Sequence, residues 1–149
     1  MNKSLILTAM LCSASLLAFM ACEKTDSNSI VPQFSSITCE PENPAAGDSI
    51  TLTAHQSVRG HLINSTTYRW AFTYIDGSTF SDTTVVRNVE VVYDAVDGTD
   101  PQVGFRIPSD TPSNKLTVSL TALYSLSGQT ETGQIFGQAA RSTSITIAQ

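Results

Sequence analysis

The apolar residues of this chain alternate with polar ones from Val31 onward. In the clearest run, Leu116–Tyr124, an apolar residue occupies every second position. Thr or Ser stands between these residues, except that Leu123 stands before Tyr124. A period of two places the apolar side chains on one face of a β-strand. Thr, Val, Ile and aromatic residues suit such half-buried strands. Further alternating runs are Ile37–Cys39, Ile50–Ala54, Tyr68–Tyr74, Val89–Tyr93, Val103–Ile107 and Thr143–Ile147.

Turn-forming residues separate these runs. Gly, Pro, Asp and Asn concentrate at 41–48, 76–78, 97–101 and 108–112, where they favour tight turns. Outside the first 21 residues, no stretch of ten residues has a helical period. We therefore predict an all-β domain, a two-sheet antiparallel sandwich of about seven strands. A closed barrel is the alternative.

Several segments resemble the PKD-type and related immunoglobulin-like modules of bacterial surface proteins. The matching segments are Pro44–Leu52, with its Gly-Asp turn, Tyr68–Phe72, Leu116–Ala122 and Ser144–Ile147. The resemblance covers about Ile37 to Ile147 and implies an immunoglobulin-like sandwich with Trp70 in its core. Ala71 stands where PKD modules usually have Asp, so the resemblance to the wider immunoglobulin-like class is the stronger one. Such folds host unrelated functions.

The first 22 residues have the layout of a secretory signal. Lys3 precedes an apolar run from Leu5 to Ala21, and Ala21 precedes Cys22, as in a cleavable signal peptide. The end of the run resembles the lipobox of bacterial lipoproteins. Phe19 and Met20 depart from the commonest box and resemble the looser boxes of Bacteroidetes lipoproteins.

The resemblance implies cleavage before Cys22 and lipidation of Cys22. It divides the chain into a signal peptide (1–21), a lipidated cysteine with a polar tether (22–30) and an immunoglobulin-like domain (31–149). Glu23 is not the Asp that retains lipoproteins in the inner membrane of enteric bacteria, so we expect an outer-membrane location. An ordinary cleaved signal is one alternative. An uncleaved anchor is another, since 17 apolar residues are the lower limit for a membrane span.

The net charge of the mature chain narrows the classes of partner. Lys3 leaves with the signal, so seven basic and 13 acidic residues remain, a net charge of −6. An acidic chain without a basic run is a poor nucleic-acid binder.

The cysteine content bears on disulfide formation. Cys12 also leaves with the signal, so a lipidated Cys22 leaves Cys39 without a disulfide partner in the mature chain. Cys39 continues an alternating run, which favours a buried small side chain over a reactive thiol.

The residues suited to catalysis or metal binding are sparse. His55 and His61 are the two histidines, and no common nucleophile, zinc or phosphate-binding motif occurs. Asp94, Asp97 and Asp100 surround a Gly turn and are a weak candidate for Ca²⁺ binding, although a solvated turn is the simpler interpretation. We predict no catalytic residues, no cofactor and no enzyme activity.

Two groups of apolar residues are candidate ligand contacts. Tyr74 and Phe80 are candidates for a small aromatic platform for a glycan. Ile135 and Phe136 interrupt a polar, Gly-rich loop at 128–137, and they either fold onto the core or protrude as a contact.

We expect a lipid-anchored, non-catalytic binding or adhesion module with a protein or glycan partner. The alternative is a structural or accessory subunit of an outer-membrane complex, including a carbohydrate-binding accessory.

Overall fold

The computed structural model describes residues 28–80, 83–95, 99–112 and 114–148, with backbone alone at 75–80 and 83–86. It has seven strands: β1 (Gln33–Glu40), β2 (Ser49–Val58), β3 (Ile63–Phe80), β4 (Thr83–Ala95), β5 (Gln102–Arg106), β6 (Lys115–Leu126) and β7 (Phe136–Thr146). The predicted signal peptide and Cys22 lie outside the described residues.

The strands form two antiparallel sheets. One has the order β1-β2-β5 and the other the order β4-β3-β6-β7. This is the strand order of an immunoglobulin-like sandwich that carries its fourth strand beside β3. The predicted fold class is confirmed. The barrel alternative is wrong, because the hydrogen-bonded ladders fall into two separate sheets.

The core lies between the sheets and is built from the alternating runs. Leu52, Trp70, Phe72, Leu116 and Leu120 are fully buried, as their inward positions predict. Trp70 stands opposite Leu120 on one side and opposite Val91 on the other. The core position that the family resemblance implies for Trp70 is therefore observed.

Contacts between side chains close the β4–β5 side of the sandwich. Phe72 of β3 stacks on Phe105 of β5, with ring centroids 4.1 Å apart and an interplanar angle of 7°. The Tyr93 hydroxyl of β4 donates a hydrogen bond to the Gln102 carbonyl of β5 at 2.8 Å. Stacked rings and a hydrogen bond between sheets fix their spacing more sharply than aliphatic packing alone.

The β3–β4 hairpin is longer than the sequence predicts. The turn residues at 76–78 indicate a loop after Tyr74, yet β3 continues to Phe80 and pairs with β4 beyond that point. β6 accompanies β3 only from Ile63 to Thr73. The backbone of residues 74–80 and 83–87 therefore leaves the sheet as a two-stranded arm, which we call the hairpin arm. Five residue steps of β4 lie between Asn88, the partner of Thr73, and Thr83, so at about 3.3 Å per residue the arm extends roughly 15 Å past β6.

Candidate interaction site

The chain enters the sandwich through a short segment clamped between two loops. The Ser29 amide donates to the Gln129 carbonyl at 2.7 Å, and Ile30 exchanges backbone hydrogen bonds with His61 at 3.1 and 3.0 Å. The buried Ser29 hydroxyl donates to the Leu62 carbonyl at 3.3 Å and accepts from the Gly128 amide at 3.1 Å. Ser29 and Ile30, which the sequence analysis assigns to the tether, are thus hydrogen-bonded to loops of the sandwich.

The β6–β7 loop beside this segment is a hydrogen-bonded extension of its hairpin. The Leu126 amide donates to the Ile135 carbonyl, and the Thr130 amide donates to the Gln134 carbonyl, both at 2.9 Å. Gly133, at a φ of 79°, closes the turn, a backbone angle that glycine adopts without steric cost. We call the end of the sandwich formed by 28–31, 61–62 and 127–136 the N-terminal end.

Ile135 and Phe136 protrude from this end. Their exposed fractions are 51% and 66%, so the alternative in which they fold onto the core is wrong. Phe136 stands opposite Ser125 in the β6–β7 ladder, and directly opposed residues share a sheet face. Because Tyr124 and Leu126 face the core, the side chains of Ser125 and Phe136 lie on the outer face.

A shallow groove lies beside the protruding residues. It has a volume of about 710 Å³ and is lined by Asn28–Val31, Gln33, His61 and Thr130–Thr132. Ile30 contributes an apolar wall with an exposed fraction of 47%, and Glu131 contributes a carboxylate. Sequence analysis missed Ile30, because no pattern in the polar segment around it shows which loop it pairs with.

Tyr74 and Phe80 do not lie together. Tyr74 is half-buried at the base of the hairpin arm, where its ring tilts against Phe105 with centroids 6.2 Å apart. Phe80 is the last residue of β3 and pairs with Thr83. Their partners on β4, Arg87 and Thr83, are four residues apart, so the two residues are separated by about 13 Å along the arm. The two residues that the sequence groups as one platform therefore mark the base and the end of the arm.

The acidic candidates are separated by the fold. The Asp94 carboxylate accepts a hydrogen bond from the Thr67 hydroxyl at 2.6 Å on the outer face of the four-stranded sheet. Asp100 is bonded to the three-stranded sheet, and Asp97 lies outside the described residues. Among the described residues, no three His, Cys, Asp or Glu side chains cluster closely enough to hold a metal ion.

Asp100 instead belongs to a side-chain network that sequence analysis missed. The His55 ring contacts the Thr38 hydroxyl at 2.9 Å through Nε2 and the Asp100 carboxylate at 3.2 Å through Nδ1. The Gln56 amide donates to the other Asp100 oxygen at 3.0 Å. These residues are far apart in sequence, and only the β1–β2 register and the turn before β5 bring them together.

This hydroxyl–imidazole–carboxylate chain has the residue types of a nucleophile, a base and an orienting acid. Thr38, however, stands on the exposed outer face of the three-stranded sheet, where the neighbouring amides belong to the β1–β2 ladder. A catalytic hydroxyl needs free N–H donors aimed at a developing oxyanion. The network is better explained as a set of hydrogen bonds that joins β1, β2 and the turn before β5 and stabilises their arrangement.

Cys39 faces inward at the β1 edge and is half-buried. Burial first, and the Glu40 carboxylate second, raise the pKa of its thiol. A raised pKa lowers the thiolate fraction near neutral pH, and the thiolate is the reactive form. The structure thus places Cys39 where the alternation predicts a packed, weakly reactive side chain.

Comparison with known proteins shows little similarity. No protein-family model matches the chain, and no curated protein matches it. Among solved structures, the chain is similar to Spo0M, a sporulation control protein from Bacillus subtilis, with 15% identity and a TM-score of 0.37. The match covers 76% of this chain and 48% of the other, so this chain spans about half the length of the structure it matches.

The described residues were also compared with the requirements of a membrane span. None of them forms a helix with the length and hydropathy needed to cross a bilayer.

Proposed function

We propose that the protein is a lipid-anchored outer-membrane lipoprotein whose sandwich is a non-catalytic binding or adhesion module. One observation carries this proposal. The chain enters the sandwich at one end, six residues after Cys22, and its longest hairpin leaves the sandwich at the other end. An anchored module with this arrangement holds a contact surface away from the membrane.

The anchor rests on the signal-like first 22 residues and on their resemblance to lipoprotein signals. Lipid chains added at Cys22 would make the attachment effectively permanent, since stable anchoring needs more than one chain. Five residues, 23–27, separate Cys22 from Asn28. Fully extended, this connection reaches about 20 Å, so the domain would stand close to the bilayer.

The hairpin arm is the favoured contact element. Its base is held by the Tyr74–Phe105 ring contact, and beyond Thr73 its backbone pairs only within the hairpin, as far as the described residues show. A two-stranded arm presents side chains on both faces and a free strand edge to a partner. The partner class that we propose is a protein or a glycan.

A second candidate function is a subunit of an outer-membrane complex that docks through β4. In the described part of the chain β4 pairs with β3 alone, so its other edge is free. Val92 on its outer face has an exposed fraction of 52%, and Val89 has one of 37%. A long edge strand with exposed valines suits pairing with another protein.

A pull-down from native membranes in mild detergent tests both functions. The first variant replaces residues 75–86 with Asn-Gly, a turn that suits two-residue hairpins. The second is Val92→Lys, which places a charge on the β4 edge. The binding-module proposal predicts that the partner is lost with the first variant and kept with the second.

The complex-subunit function predicts the reverse pattern. A lone monomer in the wild-type pull-down would contradict that function. If wild-type protein also bound no glycan on an array, the binding-module proposal would fail.

A further inference from the structure

We propose that the N-terminal end of the sandwich rests on the bilayer, with Ile135 and Phe136 in the interface between lipid and water. This inference rests on the proposed lipid anchor at Cys22. It adds a second, non-covalent contact with the membrane and a defined orientation of the domain.

The exposed apolar side chains lie beside the point where the chain leaves the tether. A β-carbon added at Gly137 would approach the Val31 side chain to 2.4 Å, so the Val31 side chain packs directly on the backbone of Gly137. Ile30 adjoins one side of this contact, and Phe136 adjoins the other. The exposed residues Ile30, Ile135 and Phe136 therefore lie close to the first described residues of the chain.

The short tether selects lipid as the occupant of this surface. Asn28 lies within about 20 Å of a lipidated Cys22 even when the connection is fully extended. A compact domain of 100 residues has a radius of gyration of about 13 Å and hence a diameter of about 30 Å, so this gap is too narrow for most protein domains. A bilayer surface is already present at that distance, and large exposed apolar side chains suit its interfacial region.

The charges near this end are compatible with a zwitterionic lipid surface. Across the described segments 28–33, 58–63 and 127–138, Arg59 and Glu131 carry opposite charges, and the histidine is formally neutral. The protein as a whole is acidic. These three segments therefore carry no net charge, and because a zwitterionic surface carries none either, no net electrostatic repulsion opposes their contact with lipid.

The two sides of the N-terminal end differ in polarity, which predicts that the domain is tilted relative to the bilayer. Leu123 is exposed on the same outer face as Phe136 and lies diagonally from it across the β6–β7 ladder. The carboxylates of Asp94 and Asp100 lie on the β4–β5 side. Carboxylates are costly to remove from water. The domain should therefore lean toward the β6–β7 side.

Spin labels on the lipid-modified mature protein test this orientation. In a Cys39→Ser background, one label replaces Phe136 (Phe136→Cys) and a control label replaces Ser144 (Ser144→Cys). Ser144 lies on the same strand and the same face, eight residues further from the membrane, or about 26 Å. The protein is reconstituted in zwitterionic vesicles, and label accessibility to oxygen and to a water-soluble nickel complex is compared.

The expected result is a label at position 136 that is more accessible to oxygen and a label at 144 that is more accessible to nickel. Water-like accessibility at both positions, with protein that floats with the vesicles, would overturn this inference and leave the anchor standing. Failure of the protein to float would overturn the anchor itself.

Hydrogen exchange on unlabelled protein gives a second test that does not depend on the spin-labelled variants. Lipid-modified protein on vesicles is compared with Cys22→Ser protein in solution. Slower exchange at 130–137 on vesicles is expected, with no change at 140–146. Equal exchange at 130–137 in the two samples would contradict the membrane contact.

Discussion

Two tyrosines that both face between the sheets differ in their hydroxyl environment. The Tyr93 hydroxyl bridges the sheets through its hydrogen bond to the Gln102 carbonyl. The Tyr124 hydroxyl is buried and has no hydrogen-bond partner among the described residues. Burial first, and the neighbouring Tyr68 second, raise the pKa of Tyr124. One hydroxyl therefore stabilises the fold, and the other is a cost that its ring offsets by packing.

The same substitution should consequently have opposite effects at the two positions. Tyr93→Phe should lower the free energy of unfolding at pH 7 by about 1 kcal/mol, the usual net value of a hydrogen bond. Tyr124→Phe should leave it unchanged or raise it, because an unpaired buried hydroxyl is removed. Urea unfolding followed by Trp70 fluorescence measures both. A larger loss for Tyr124→Phe than for Tyr93→Phe would contradict this interpretation.

Alkaline pH should separate the two variants further. The pKa of Tyr124 is higher in the folded protein than its ordinary value of 10.0. Ionisation of Tyr124 thus leaves the stability unchanged below pH 10 and lowers it as the pH rises beyond 10, because the unfolded state ionises first. Wild type and Tyr93→Phe should both lose stability between pH 9.5 and 11. Tyr124→Phe should lose less stability over this range. If Tyr124→Phe had the same pH dependence as wild type, the attribution of the alkaline loss to Tyr124 would be refuted.

At the scale of secondary structure, strand existence was predictable and strand length was not. The alternation around Trp70 and Leu120 identifies inward positions because one face of each strand is buried. Gly77 and Ser78 interrupt that alternation, and β3 nevertheless continues to Phe80, pairing with β4 up to Asp76 and again, after a register shift, at Phe80. Outside the sandwich neither face is covered by a second sheet, so no hydrophobic period marks the strand there.

The N-terminal segment illustrates a second limit of sequence reasoning. Ser29 and Ile30 are held mainly by backbone hydrogen bonds and by one hydroxyl. Backbone groups are the same in every residue and leave no trace in the pattern of side chains. The polar composition of this segment therefore predicts a tether and gives no sign that Ser29 and Ile30 are hydrogen-bonded to the sandwich. The Thr38–His55–Asp100 network could not be predicted from the sequence either, because it depends on the register of β1 against β2.

Ser29 should stabilise the junction between this segment and both loops. Ser29→Ala should lower the free energy of unfolding by about 1–2 kcal/mol, because the Gly128 amide and the Leu62 carbonyl lose a partner at a buried site. The matched control is Ser142→Ala, which removes the exposed contact between the Ser119 and Ser142 hydroxyls. That change should cost less than about 0.5 kcal/mol. Equal losses in urea unfolding would show that the junction is not a stabilising feature.

The hairpin arm should be dispensable for folding. Replacing residues 75–86 with Asn-Gly keeps the Tyr74–Phe105 contact and the whole β3–β6 ladder. We expect the free energy of unfolding to change by less than about 1 kcal/mol, because the core is untouched. A shorter variant that also removes Tyr74 and Arg87 is the control, and it should be less stable. An arm replacement that unfolds the domain would assign the arm a structural role instead.

At the scale of the whole molecule, the two ends of the sandwich differ in what they carry. The N-terminal end has the hydrogen bonds of Ser29 to the two neighbouring loops and the exposed residues Ile135 and Phe136. The opposite end has the hairpin arm. The topology dictates this arrangement, since β3 starts beside Leu62 and runs the full length of the domain. A short lipidated tether would convert this asymmetry into a membrane side and a partner side.

Removing the lipid site should release the protein without unfolding it. Cys22 lies six residues before Asn28, so Cys22→Ser leaves the hydrogen bonds of Ser29 and the core intact. We expect the variant in the soluble fraction or as an unprocessed precursor, with wild-type circular dichroism and urea midpoint. Cell fractionation measures the release, and Cys39→Ser is the control that should stay with the membrane. Wild-type membrane retention of Cys22→Ser would refute lipid anchoring at this residue.

The most direct measurement of the central proposal is the mass of the N-terminal peptide of protein purified from its native envelope. The lipoprotein proposal predicts a chain that begins at Cys22 and carries the added mass of a diacylglyceryl group and an amide-linked acyl chain. An N-terminal peptide with an unmodified Cys22, or a chain that begins at another residue, would contradict it.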